Sequence, residues 1–73
     1  MATSGHGGRE VRGKAPAREG LSHHEGFNEA LEDALQNIGL AAGTYHARIQ
    51  FEAEVTVTNP GGVGVYHAVL TTV

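Results

Sequence analysis

The sequence predicts an α+β fold in which one amphipathic helix packs on a long antiparallel β-hairpin. Three features indicate it: a helix-capping sequence at residues 22–25, a change from helical to alternating apolar periodicity at residue 45, and an Asn-Pro-Gly-Gly turn at residues 59–62. A chain of 73 residues forms one domain at most. We expect a flexible basic segment over residues 1–20 and a folded α-β-β domain over residues 21–73.

The helix is predicted from its start signal and from its apolar pattern. Ser22 and Glu25 form a capping box, in which each side chain accepts a hydrogen bond from the backbone N–H of the other residue. Gly39 is well placed to end the helix, because glycine readily adopts the left-handed conformation common there. Apolar residues recur between these signals at helical spacing and form one stripe of Phe27, Leu31, Ala34, Leu35 and Ile38.

From Tyr45 onward, apolar and polar residues alternate with a period of two. This pattern predicts a strand with one covered apolar face and one polar face. The apolar face carries Tyr45, Ala47, Ile49, Phe51, Ala53, Val55 and Val57. The polar face carries His46, Arg48, Gln50, Glu52, Glu54, Thr56 and Thr58.

A turn at Asn59-Pro60-Gly61-Gly62 leads into a second strand, over about residues 63–73. The proline pre-sets φ and the glycine after it allows a positive φ, as the two central positions of a type II turn require. Pairing the first and last residues of this turn fixes the register of the hairpin. That register places Glu54 opposite His67 on the polar face, and Val55 opposite Tyr66 on the apolar face.

Charge divides the chain into two parts. Residues 1–20 carry four basic and two acidic side chains, a net charge of +2, and residues 21–73 carry one basic and six acidic side chains, a net charge of −5. The first part is rich in glycine and has no sustained apolar period, so we expect it to be flexible and its deletion to leave the fold intact. A short edge strand at residues 9–12 is the alternative. The acidic second part argues against a nucleic-acid partner.

One helix covers only part of such a hairpin. A two-stranded ribbon alone is marginal in water, and the second strand also places Val65, Val69 and Val73 on the face away from the helix. Long uncovered strands tend to pair with other chains. We therefore expect a symmetric homo-oligomer in which neighbouring hairpins cover one another. The alternative is that an N-terminal strand completes a small monomeric sheet.

Several classes of protein are disfavoured by what the sequence contains. There are no cysteines for disulfides or thiolate metal sites, and we expect no metal site. The motifs of nucleophilic, phosphate-binding and zinc-dependent catalysis do not occur, so we expect no catalytic residues and no enzyme. No apolar run is long enough for a bilayer and no secretory leader is recognisable, so we expect a cytoplasmic protein without a membrane partner.

The order of these elements resembles the dodecins, a family of small flavin-binding homododecamers. The helix opening at residues 25–35 and the strand segment Tyr66–Leu70 are similar to the corresponding parts of that family. The resemblance covers about 50 of the 73 residues. It implies a β-α-β-β subunit, a hollow dodecameric shell, and flavin (FMN or riboflavin) bound in pairs near two-fold axes.

The resemblance also implies two ligand-binding residues. In dodecins a tryptophan near the start of the second strand stacks on the flavin, and a glutamine on the last strand hydrogen-bonds its polar edge. Tyr45 matches the first position and His67 most nearly matches the second, in a chain without tryptophan. The implied function is binding or storage of a small planar ligand. A phenol offers less stacking area than an indole, so we expect weak flavin affinity.

Each of these residues and the function have a second interpretation. Tyr45 also fits the first core-facing position of its strand, and His67 also fits a cross-strand ion pair with Glu54. The alternative function is a structural or partner-binding module whose sheet edge assembles with another protein.

Overall fold

A computed structural model describes residues 9–73 of the chain. Its elements are β1 (Arg9–Pro16), α1 (His23–Asn37), β2 (Ala47–Thr56) and β3 (Gly62–Thr72). The three strands form one antiparallel sheet in the order β1-β3-β2, and α1 packs on β1 and β3. The predicted α+β class is confirmed. The helix in this part of the chain is not long and apolar enough to cross a membrane.

Both ends of α1 follow the sequence signals. The Ser22 hydroxyl accepts a hydrogen bond from the Glu25 N–H at 3.1 Å, and Glu25 Oε1 accepts one from the Ser22 N–H at 3.0 Å. The hydrogen bond from the Ser22 backbone N–H is the main cause that lowers the pKa of the Glu25 carboxyl, and the Ser22 side chain lowers it further. Gly39 has φ 69°, the left-handed conformation expected after the helix.

The packing of α1 is centred on small residues. Ala30 and Ala34 are 0% exposed, and a methyl group added at Gly13 of β1 would overlap the backbone of both. The helix therefore approaches β1 more closely than larger side chains would permit. In consequence the buried face is rotated from the predicted stripe, and Leu35, a member of that stripe, is 52% exposed.

The prediction of a flexible segment over residues 1–20 is wrong for Arg9–Pro16. These residues form β1 and pair along their whole length with β3, from Arg9 opposite Thr72 to Pro16 opposite Val65. The inward positions of β1 are Val11, Gly13 and Ala15, two of which are too small to give an apolar signal. The start of the predicted segment, residues 1–8, lies outside the described residues.

Basic residues near the N-terminus bind the acidic body of the protein. Arg9 Nη1 donates to the carbonyl oxygen of Ile38 at 3.0 Å, where the helix ends. Arg18 donates to both carboxylate oxygens of Glu29, at 2.8 and 2.6 Å. The hydrogen bond from Arg18 is the main cause that lowers the pKa of Glu29. Arg9 thus attaches β1 to the end of the helix, and the opposite charges of Arg18 and Glu29 attach the following loop to α1.

The hairpin register differs from the prediction by two residues. Tyr66 pairs with Ala53 rather than Val55, and His67 pairs with Glu52 rather than Glu54. The connection includes residues 57–61, and the pairing of the two strands has an irregularity just before it, between Glu54 and Val55. Gly61 does not have a positive φ, so the predicted type II turn is wrong. A shift of two residues keeps every side chain on its predicted face, and alternation alone cannot detect it.

Candidate functional site: an open strand and an apolar cavity

Strand β2 keeps its apolar face exposed. Its partners in β3 are core residues: Ile49 lies opposite Leu70, and Phe51 lies opposite Ala68. Both β2 side chains are nevertheless close to half-exposed, and Val55 is 61% exposed. They lie on the same side of the sheet as α1, but the helix sits over β1 and β3. We call Ile49, Phe51 and Val55 the apolar face of β2.

Phe51 is the point where α1 comes nearest to this face. Its ring lies 5.3 Å from the ring of Phe27, centroid to centroid, at an angle of 55°. Phe27 in turn packs edge-on against Tyr66 in the core, at 5.0 Å. The aromatic contacts run from the core to the middle of β2, so the orientation of Phe51 is set from within the subunit.

A mainly apolar cavity of about 380 Å³ opens at the end of the sheet where α1 stops. The loop between α1 and β2 forms one wall, and the end of the helix and β3 form the others. Its size is within the usual range for small-molecule sites. The principal lining residues are Leu35, Ile38, Leu40, Tyr45, Ala47 and Leu70.

Tyr45 stands at the mouth of this cavity, just before β2 begins. Its hydroxyl donates to the carbonyl oxygen of Ala41 at 2.7 Å, across the loop. Its side chain is not part of the core, because the residue is 48% exposed. The interpretation of Tyr45 as a core-facing strand residue is therefore wrong. A ring anchored at its hydroxyl and open on the cavity side can stack on a planar ligand.

His67 lies on the other face of the sheet. Successive side chains of a strand point to opposite faces, and its neighbour Ala68 faces α1. His67 Nε2 lies 2.7 Å from Glu54 Oε2, diagonally across the hairpin. The contact with Glu54 is confirmed, although the two residues are not directly opposite. His67 also borders a groove of about 360 Å³ that Arg12, Lys14 and Asp33 help to line.

One subunit does not bring the two predicted ligand-binding residues together. Tyr45 shares its cavity with Leu70, on the α1 side, and His67 points away from that side. A site that contains both residues would therefore need a second copy of the chain. Within residues 9–73, no three His, Asp or Glu side chains converge as metal ligands do.

Two features of the site have no clear signal in the sequence. The loop at residues 40–44 reads as a simple connection, but it supplies a wall of the cavity and the acceptor for Tyr45. The position of β2 at the edge of the sheet depends on the pairing of β1 with β3.

No protein-family model, curated protein or solved structure matches the chain.

Proposed function

We propose that the chain is a dodecin-like subunit of a homo-oligomer that binds or stores a small planar ligand at the Tyr45 cavity. The observation that carries this proposal is β2, a ten-residue strand whose apolar face is uncovered and lies beside the cavity. Exposed apolar patches of this kind mark interaction surfaces. Another copy of the chain would cover β2 and narrow the mouth of the cavity at the same time.

The arrangement of the elements supports the dodecin-like part of the proposal. The order β1-α1-β2-β3 is the β-α-β-β order implied by the resemblance, and β1 is the N-terminal strand that the sequence offered only as an alternative. The dodecameric number of subunits is carried over from that resemblance.

The chemistry of the cavity favours a planar and largely apolar ligand, such as the isoalloxazine ring of FMN or riboflavin. One phenol ring and aliphatic walls provide stacking and dispersion contacts. His67 contributes to the polar edge of the ligand only from a neighbouring subunit, since it lies on the other face of its own sheet. With tyrosine in place of tryptophan, the affinity is expected to be weak.

Riboflavin titration tests the ligand proposal. We expect saturable quenching of riboflavin fluorescence by the wild-type protein, and binding roughly tenfold weaker in Tyr45→Ala, because the stacking ring is removed. Tyr45→Phe is the matched control, since it keeps the ring and loses only the hydrogen bond to Ala41. Absence of quenching by an intact assembly, or equal affinity in Tyr45→Ala, would contradict the assignment.

The open edge of β2 also supports a second candidate, a module that assembles with a different protein by strand addition. This candidate predicts that the isolated chain remains monomeric, and the native mass therefore separates the two. The expectations of no enzymatic activity and of a cytoplasmic location stay predictions from the sequence.

A further inference from the structure

The two edges of the sheet differ in how they are protected. At the β1 edge, the backbone N–H of Lys14 donates to Asp33 Oδ2 of α1 at 3.0 Å, and Gly13 lies against the helix backbone. At the β2 edge, no element of residues 9–73 lies beyond the strand. Exposed strand edges are templates for pairing with another chain. The open edge of this sheet is therefore β2.

We infer that the β2 strands of two copies pair antiparallel about a two-fold axis at Phe51, joining two three-stranded sheets into one continuous sheet. This inference rests on the proposed homo-oligomer and specifies its interface. In such a pair the residues opposite each other point to the same face. Both copies of α1 then lie on one side of the joined sheet, and the two apolar faces of β2 become adjacent.

The apolar side chains fit this axis. Phe51 meets Phe51 of the second copy, and Ile49 meets Ala53, so a bulky side chain faces a small one on each side of the ring pair. The register uses nearly the whole strand, from Ala47 to Val55. The two helices then flank a trough whose floor is the aromatic pair, held on each side by its own Phe27.

The charged side chains on the opposite face fit the same register. Arg48 meets Glu54 of the second copy, and Gln50 meets Glu52, each pair occurring twice by symmetry. Arg48 has no ion-pair partner among residues 9–73. Glu54 binds His67 through Oε2, which leaves Oε1 to accept from a guanidinium. The register therefore places the Arg48 guanidinium opposite the Glu54 carboxylate of the second copy, whose Oε1 is not used by His67.

Neighbouring registers fit less well. An axis at Glu52 would oppose two identical carboxylates, which is destabilising. An axis at Gln50 would place Arg48 opposite Glu52 but leave Glu54 opposite His46, outside β2. An axis at Ile49 would leave Arg48 opposite an uncharged Gln50 and Glu52 opposite His46. Of these axes, the one at Phe51 gives both Arg48 and Glu54 an oppositely charged partner within the strand, and it gives Glu52 a hydrogen-bond donor in Gln50.

Complementary charge reversal tests this register. Sedimentation is compared for the wild-type chain, Arg48→Glu, Glu54→Arg, and an equal mixture of the two variants. We expect each variant alone to associate roughly tenfold more weakly than wild type, because like charges then face each other twice. In the mixture every such pair is opposite in sign, so association is expected to return. Recovery on mixing also excludes misfolding, since a misfolded chain is not restored by a second one.

Arg18→Glu is the matched control, because it makes the same charge reversal at another exposed arginine, at the Glu29 pair and away from β2. It is expected to associate like wild type. If wild type associates and the two β2 variants associate equally well alone, the register is overturned and the homo-oligomer stands. The register is also overturned if folded variants fail to associate on mixing. A wild-type chain that stays monomeric overturns both the register and the proposed function.

Discussion

Replacing Tyr66 by alanine is expected to destabilise the fold by about 4 kcal/mol. Tyr66 is 2% exposed and is the largest fully buried side chain among residues 9–73. Its ring packs on Gly26 and edge-on against Phe27, so truncation leaves a cavity between α1 and β3 that backbone neighbours cannot fill. Urea unfolding followed by circular dichroism, at one fixed protein concentration, measures the loss.

Tyr66→Phe is the matched control. It keeps the ring and removes only the hydroxyl, which lies 2.9 Å from His23 Nδ1 at the start of α1. Loss of one hydrogen bond is expected to cost about 1 kcal/mol. Equal destabilisation by the two substitutions would show that the hydroxyl contact, and not the packing of the ring, determines the contribution of Tyr66.

Gly13→Ala is expected to destabilise the fold by about 3 kcal/mol, the upper end of the usual cost of overpacking. The added methyl group would meet the backbone of Ala30 and Ala34, which cannot move aside as a flexible side chain can. The overlap of the added methyl group with this backbone is removed only if α1 shifts away from β1. Unfolding in urea, monitored through the helical signal, gives the difference in stability from wild type.

Gly62→Ala makes the same chemical change where a methyl group meets nothing within 4 Å. It is expected to leave the urea midpoint nearly unchanged. If Gly13→Ala unfolds at the same midpoint as Gly62→Ala, the close contact between α1 and β1 is refuted, and the interpretation of residues 1–20 as a flexible segment is favoured again. The comparison thus also tests the existence of β1.

The sequence predicts most reliably those elements whose signals are local. The capping box of Ser22 and Glu25 and the left-handed Gly39 depend on residues a few positions apart, and both are confirmed. Strand β1 was predicted only as the alternative, a short edge strand at residues 9–12, because its inward Gly13 and Ala15 are small. Their small size is a requirement of the helix that packs on them. Glycine in that segment indicated flexibility locally, whereas in the fold it permits close packing.

In the candidate site, too, features with a local sequence signal are predicted and features that depend on tertiary packing are not. The alternating pattern predicts strand β2 itself, which begins two residues later than expected, at Ala47. The exposure of Tyr45 and the cavity depend instead on how the loop folds back against Leu70. The contact of His67 with Glu54 was predicted from a register that is wrong by two residues. It forms because long side chains reach diagonal neighbours on the same face of a sheet.

The central claim is that the exposed strand β2 is covered by a second copy of the chain. The native mass of the wild-type protein, measured by sedimentation over a wide range of concentrations, tests it most directly. We expect a discrete species whose mass is an even multiple of the 7.6 kDa subunit, as pairing about a two-fold axis requires. A species that remains at 7.6 kDa at every concentration would contradict the account.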